Sequence, residues 1–141
     1  MFSTGTGFVP FAILSRDVET YEKFEEMIAT YTWREVVELN HSQEMVVSVK
    51  NDLLRAEFAV GRRWYATTLL EDYPFMGRIT DLIATGKVTI DSGLPPTGSA
   101  ANSDMICGSM GMLKDTKAKL EGLGLVEGSN SKPSTLVVER P

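Results

Sequence analysis

Segments typical of buried strands alternate with helical segments along almost the whole chain. Residues 26–33 and 63–68 are rich in β-branched and aromatic side chains, and two shorter apolar runs follow at 104–107 and 136–139. Helical spacing separates each run from the next. Strands that alternate with helices pair in parallel through right-handed crossovers, so the pattern predicts a three-layer, doubly wound α/β sheet.

The helical segments have recognisable ends. They are predicted at about 9–14, from Asp17 (a helix cap) through Phe24, at 36–58 with a break near Asn40, at 77–86 and at 110–123, with a loop over 92–102. The last of these helices is amphipathic. Its predicted inward side chains are Met112, Leu113, Thr116, Leu120 and Leu123.

Size and charge narrow the class of protein. A chain of 141 residues, 43% of them hydrophobic, is expected to form one globular domain. The net charge of −5 argues against a nucleic-acid-binding surface, and no apolar run is long enough to suggest a membrane span. One cysteine, Cys107, cannot form an internal disulfide, and one cysteine and one histidine are too few for a metal centre. A reducing, cytoplasmic location is expected.

Two glycine-containing turns each follow a strand and precede a helix. In the first, Gly5 and Gly7 allow a phosphate to approach the backbone closely, while Thr4 and Thr6 offer hydroxyl groups. The second is Cys107-Gly108-Ser109, which is expected at the same edge of the sheet. The spacing is not GxGxxG, so a tight turn without a ligand and an inert core cysteine both stay open as alternatives.

Five segments in order give the chain a family resemblance. STGTGFVPF, YTWRE, YATTLLEDYPFMGRITDLI, ICGSMGMLKDT and EGSNSKPSTLVVER resemble the nicotinamide-nucleotide half of bacterial ferredoxin–NADP⁺ reductases. In that family a flavin-binding β-barrel precedes this half, and its first strand begins several residues earlier. The resemblance therefore implies that residues 1–141 form an NADP(H)-binding domain with a truncated first strand and without the FAD-binding barrel.

The resemblance also implies roles for individual residues. The turn Thr4, Gly5, Thr6 and Gly7 would hold the pyrophosphate of the cofactor. Cys107 would contact the position of hydride transfer, as the catalytic residue, while Gly108 and Ser109 shape the pocket.

The resemblance also concerns cofactor binding and selectivity at four more positions. Arg34 matches a family arginine near the phosphates, and Arg78 matches one of two arginines that read the 2′-phosphate. The second of that pair is Leu70 here, which weakens discrimination because a phosphate dianion is best held by two guanidinium groups. Lys114 is expected to compensate in part. The resemblance to the family favours NADP(H), and NAD(H) stays possible.

The implied function is that of a flavin-dependent ferredoxin or flavodoxin–NADP⁺ reductase, in which this domain positions NADP(H) for hydride transfer to or from FAD. Alone, the chain is expected to be inactive and to bind no FAD. Two alternatives stay open: a nucleotide-binding module without turnover, and a reductase domain serving an oxygenase or haem partner. Phe8, Phe11 and Cys107 are expected to face the flavin domain, so that their exposure promotes self-association.

Overall fold

Six parallel strands form one sheet in the described part of the chain. The computed structural model of the protein describes residues 1–55, 62–69, 75–98, 102–129 and 131–140. The strands lie in the order β4-β3-β2-β1-β5-β6, and every pairing is parallel. Their bounds are β1 Phe2–Thr4, β2 Met27–Trp33, β3 Arg62–Thr68, β4 Phe75–Met76, β5 Asp104–Cys107 and β6 Leu136–Glu139.

Helices cover both faces of this sheet. Their bounds are α1 Phe8–Leu14, α2 Val18–Lys23, α3 Val36–Arg55, α4 Ile79–Ala84, α5 Lys87–Asp91 and α6 Met110–Gly122. Buried apolar side chains of α1 and α3 form one hydrophobic core with the sheet, and those of α4, α5 and α6 form a second core. Two cores on opposite faces confirm the predicted three-layer, doubly wound α/β fold.

The shortest predicted strand lies at the centre. Phe2 of β1 pairs with Thr30 on one side and with Ile106 on the other. The Ser3 hydroxyl donates a hydrogen bond of 2.6 Å to the Thr30 carbonyl oxygen. Because parallel strands β2 and β5 flank it, β1 brings its following turn to the middle of the carboxyl edge of the sheet, where crossovers diverge.

Several local predictions need correction. α3 continues through Asn40 without a break and is described to Arg55, so the predicted end at Phe58 lies outside the described residues. Leu123 was predicted to point inward, but it follows α6 and is 41% exposed. Two short elements, β4 and α5, lie in segments that the sequence pattern did not resolve.

The helix that Asp17 begins is confirmed. Its side chain accepts a hydrogen bond of 3.0 Å from the Glu19 amide, as an N-cap residue does.

Within the described ranges, no helix has the length and apolar character that a membrane crossing requires.

Candidate functional site

The two glycine turns pack directly against each other. A β-carbon added to Gly7 would lie 2.4 Å from the Cys107 carbonyl oxygen, and one added to Gly108 would lie 2.4 Å from the Thr4 hydroxyl oxygen. Gly5 has a φ of 53°, in the left-handed region that glycine tolerates. The chain passes from β1 into α1 and from β5 into α6 through two turns whose backbones touch. This contact leaves no room for a side chain at Gly7 or Gly108.

The start of α6 lies beside these turns. Ser109 caps the helix, and its hydroxyl oxygen accepts a hydrogen bond of 3.4 Å from the Met112 amide. α6 has 13 residues, so its N-terminal amides carry a partial positive charge at the carboxyl edge of the sheet. This end of the helix favours an anionic group.

A cavity of about 530 Å³ opens at this edge. It lies between the ends of the three strands β1, β2 and β3 and the beginnings of α3, α4 and α6. Among the described residues, four charged side chains line it: Arg34, Glu38, Arg78 and Asp115. Two positive and two negative groups around one opening match a ligand that presents both phosphate oxygens and hydroxyl groups.

The structure brings half of the predicted site residues to this cavity. The lining includes Thr4, Gly5, Arg34, Arg78 and Ser109.

The other five predicted residues do not line it. Gly7 is buried against Cys107, while Gly108 lies in the contact between the two turns. Thr6 and Lys114 are exposed outside the lining.

The Cys107 side chain belongs to the core beneath α1 and α3. It is 6% exposed and packs in the same apolar cluster as Phe8 and Phe11, which are 1% and 0% exposed. Burial raises the pKa of the Cys107 thiol, and the nearby Glu139 carboxylate adds to the rise. The expected exposure of Phe8 and Phe11 is therefore wrong, because α1 packs onto the face of its own sheet.

A ring stack, backed by a hydrogen bond, holds the strand that leads to Arg78. The Phe75 ring stacks on Tyr65 with centroids 4.3 Å apart, and the Tyr65 hydroxyl donates a hydrogen bond of 2.5 Å to Asp91. Burial, with a smaller contribution from Asp91, raises the pKa of Tyr65 well above its usual range. Gly77, with a φ of 139°, then turns the chain so that Arg78 reaches the cavity.

The loop after β2 is fixed from both sides. The Trp33 indole donates a hydrogen bond of 2.9 Å to the Ser42 hydroxyl, and its ring lies next to Gly5. The Glu38 carboxylate accepts hydrogen bonds of 3.1 Å from the amides of Arg34 and Glu35. Glu38 at this position closes the first turn of α3 as a capping-box glutamate does.

Sequence reasoning missed the acidic half of the cavity. Glu38 follows β2 by five residues, and Asp115 lies one turn after Gly111 on α6. Glu38 is detectable from the sequence, because it lies at the start of a predicted helix that directly follows a predicted strand. For Asp115, the i, i+4 spacing from Gly111 predicts a shared helix face.

Fold and cavity together define a doubly wound α/β domain with a charged cleft at the carboxyl edge of its sheet. No protein-family model matches the chain. Curated proteins do match: the chain is 42% identical over 139 residues to a flavodoxin/ferredoxin–NADP reductase of Rhodobacter capsulatus, covering 98% of this chain and 52% of that protein. It is 36% identical over 141 residues to ferredoxin–NADP reductase A of Sorangium cellulosum, covering 99% and 51%.

A solved structure has the same fold. The crystal structure of a ferredoxin NADP⁺ reductase from Neisseria gonorrhoeae, with bound FAD and NADP, superimposes with a TM-score of 0.81 at 20% sequence identity. The match covers 98% of this chain and 53% of that one. The chain is thus a homologue of the ferredoxin–NADP reductases, and it spans about half the length of the curated relatives it matches.

Proposed function

We propose that residues 1–141 form the NADP(H)-binding domain of a ferredoxin or flavodoxin–NADP⁺ reductase. The observation that carries the proposal is the cavity at the carboxyl edge, where the Gly5 turn, the start of α6 and two arginines meet. Relatives at 36–42% identity are named as reductases of this kind, and they match over nearly the whole chain.

The residues present fit a dinucleotide. Gly5 leaves the backbone accessible, the N-terminus of α6 favours an anion, and Arg34 and Arg78 supply guanidinium groups for phosphate oxygens. Thr4 offers a hydroxyl group beside Gly5. In this proposal the first turn holds the pyrophosphate, and Arg78 contacts the 2′-phosphate that distinguishes NADP⁺ from NAD⁺.

Two other glycine residues of the turns act indirectly. Gly7 and Gly108 allow the turns to touch, so they set the position of the backbone that faces the ligand. The bound nicotinamide supplies or accepts hydride, and this domain contributes its orientation. The Cys107 thiol is buried, so any contact of Cys107 with the nicotinamide requires its backbone or a shift of α1.

The rest of the assignment extends from the relatives. FAD would bind to the flavin-binding portion of such a reductase, ferredoxin or flavodoxin would be the electron partner, and the location would be cytoplasmic. Residues 1–141 alone would bind nucleotide without turnover. Self-association stays a prediction, but Phe8 and Phe11 do not offer the exposed surface it invoked.

Calorimetric titration with NADP⁺ tests the proposal. Arg78→Ala is expected to weaken binding about 10- to 100-fold, since a charge-assisted hydrogen bond contributes about 1.5–3 kcal/mol. Arg140→Ala is the matched control, because Arg140 is exposed and does not line the cavity. Equal affinities in both variants, or no binding by the unaltered chain at millimolar NADP⁺, would contradict the proposal.

A second substitution tests the selectivity that the sequence predicts. Leu70 lies outside the described residues. Leu70→Arg restores the second arginine of the family pattern, so it is expected to raise the affinity for NADP⁺ relative to NAD⁺. If the ratio of the two affinities does not change, the assignment of the 2′-phosphate to this region is wrong.

A further inference from the structure

The four charged side chains of the carboxyl-edge cavity differ in how firmly they are held. Glu38 is fixed by two hydrogen bonds of 3.1 Å to backbone amides. Within the described ranges, the side chains of Arg34, Arg78 and Asp115 form no hydrogen bond or ion pair. Glu38 is thus a pre-positioned carboxylate, and its location in the cavity does not depend on a ligand.

This carboxylate already occupies the place that an anion would take at the start of α3. A helix of 20 residues favours negative charge at its N-terminus, and Glu38 supplies that charge from within the helix. The amides of Arg34 and Glu35 are used as donors to its Oε2 atom. A phosphate placed at this end of the cavity would meet a fixed negative charge instead of free amide donors.

The same carboxylate can accept further hydrogen bonds. An ionised carboxyl group has about four lone-pair sites, and two amides use part of this capacity. Ribose hydroxyl groups are donors of the right kind, and a carboxylate that follows a strand end is a known partner of ribose hydroxyls in doubly wound sheets. The cavity therefore has an acidic end at Glu38, suited to hydroxyl groups.

We propose that Glu38 determines nucleotide selectivity by accepting a hydrogen bond from the ribose 2′-hydroxyl of NAD⁺ and by repelling the 2′-phosphate that takes its place in NADP⁺. This inference rests on the proposed function. To that function it adds a residue, Glu38, that opposes the preference for NADP⁺ given by the arginines. The balance between Glu38 and Arg78 then sets how strongly the domain distinguishes NADP⁺ from NAD⁺.

The test compares Glu38→Gln with Glu35→Gln by calorimetric titration with NADP⁺ and with NAD⁺. Both variants remove one negative charge near the start of α3, but only Glu38 lines the cavity. The glutamine amide oxygen can still accept from the two backbone amides, so the melting temperature should stay close to that of the unaltered chain. Glu38→Gln is expected to raise the NADP⁺:NAD⁺ affinity ratio about tenfold, equivalent to 1.4 kcal/mol.

The outcomes separate this inference from the proposed function. Glu35→Gln is expected to leave the affinity ratio within about twofold, since exposed charges outside the cavity are screened. If the unaltered chain binds nucleotide and Glu38→Gln leaves the ratio unchanged, or changes it no more than Glu35→Gln does, the role of Glu38 is refuted and the proposed function stands. Absence of binding in every variant refutes both.

Discussion

The sheet has a cavity at each edge, and the two differ in chemistry more than in size. The carboxyl-edge cavity has a volume of about 530 Å³, and the amino-edge cavity has about 600 Å³. The amino-edge cavity lies beside apolar side chains such as Phe24, Met27, Leu94 and Pro95, and no glycine or arginine is among its lining residues that the structure describes. The two cavities are therefore similar in volume but differ in the hydrogen-bond donors that surround them.

Strand direction explains this contrast. In a parallel α/β sheet, helices begin at the carboxyl ends of strands, so amide donors and positive helix ends collect at that edge. The amino edge instead has one buried carboxyl group, Asp104, which is 9% exposed. Its Oδ2 atom has no hydrogen-bond partner among the described residues. The proposed nucleotide-binding edge and an edge with an unpartnered buried carboxylate oxygen thus lie at opposite ends of the same strands.

The largest effect is expected where the two glycine turns meet. Gly7→Ala places a β-carbon 2.4 Å from the Cys107 carbonyl oxygen, so one backbone must shift. We expect the free energy of unfolding to fall by about 3 kcal/mol, measured by urea denaturation. Gly111→Ala is the control, because no described atom outside the adjacent residues and nearby backbone of its own helix lies within 4 Å of the added carbon, and helix propensity raises stability by up to about 1 kcal/mol. Equal effects in the two variants would refute the close packing of the turns.

Asp104→Asn tests the amino edge, and there we expect the free energy of unfolding to rise instead of fall. Burial raises the pKa of Asp104 above its ordinary value of 3.8, and attraction to the Met1 ammonium group opposes this rise without cancelling it. The unfolded state therefore loses its proton first as pH rises, and stability falls from about pH 4 upward. We expect Asp104→Asn to increase the free energy of unfolding by about 1 kcal/mol at pH 7, and by less at about pH 4.

The pH dependence is the discriminating part of that experiment. A gain of the same size at both pH values would mean that improved packing, not removal of a buried charge, causes the stabilisation. Affinity for NADP⁺ should not change in Asp104→Asn, since Asp104 lines the opposite cavity.

The smallest effect is expected at Lys114. Lys114 is exposed and does not line the carboxyl-edge cavity, whereas its neighbour Asp115 does. Lys114→Ala should change the affinity for NADP⁺ less than about twofold, as should Lys119→Ala on the same helix, because exposed charges are screened by salt. A tenfold loss in Lys114→Ala alone would restore Lys114 as a ligand of the phosphate.

The sequence pattern was sufficient for the fold and for the two glycine turns at the carboxyl edge, whereas Arg34 and Arg78 were predicted from the family resemblance. Alternating strands and helices determine that the turns after β1 and β5 share an edge, so Gly5 and Ser109 could be placed in one cleft. Glu38 and Asp115 line the cavity because of where the first turns of α3 and α6 lie in space. The spacing of residues along the sequence gives these positions only after the packing of the helices is known. Burial of Phe8 and Phe11 was missed for a related reason, since α1 covers its own sheet.

The proposed function requires that the nucleotide bind at the carboxyl edge of the sheet and not at the amino edge. Amide hydrogen exchange with and without NADP⁺ measures this across both cavities at once. We predict slower exchange with NADP⁺ at the first glycine turn, Thr4–Gly7, and at the start of α6 around Gly111, with no change near Phe24 or Leu94. Protection confined to residues around Phe24 and Leu94 would contradict the central claim.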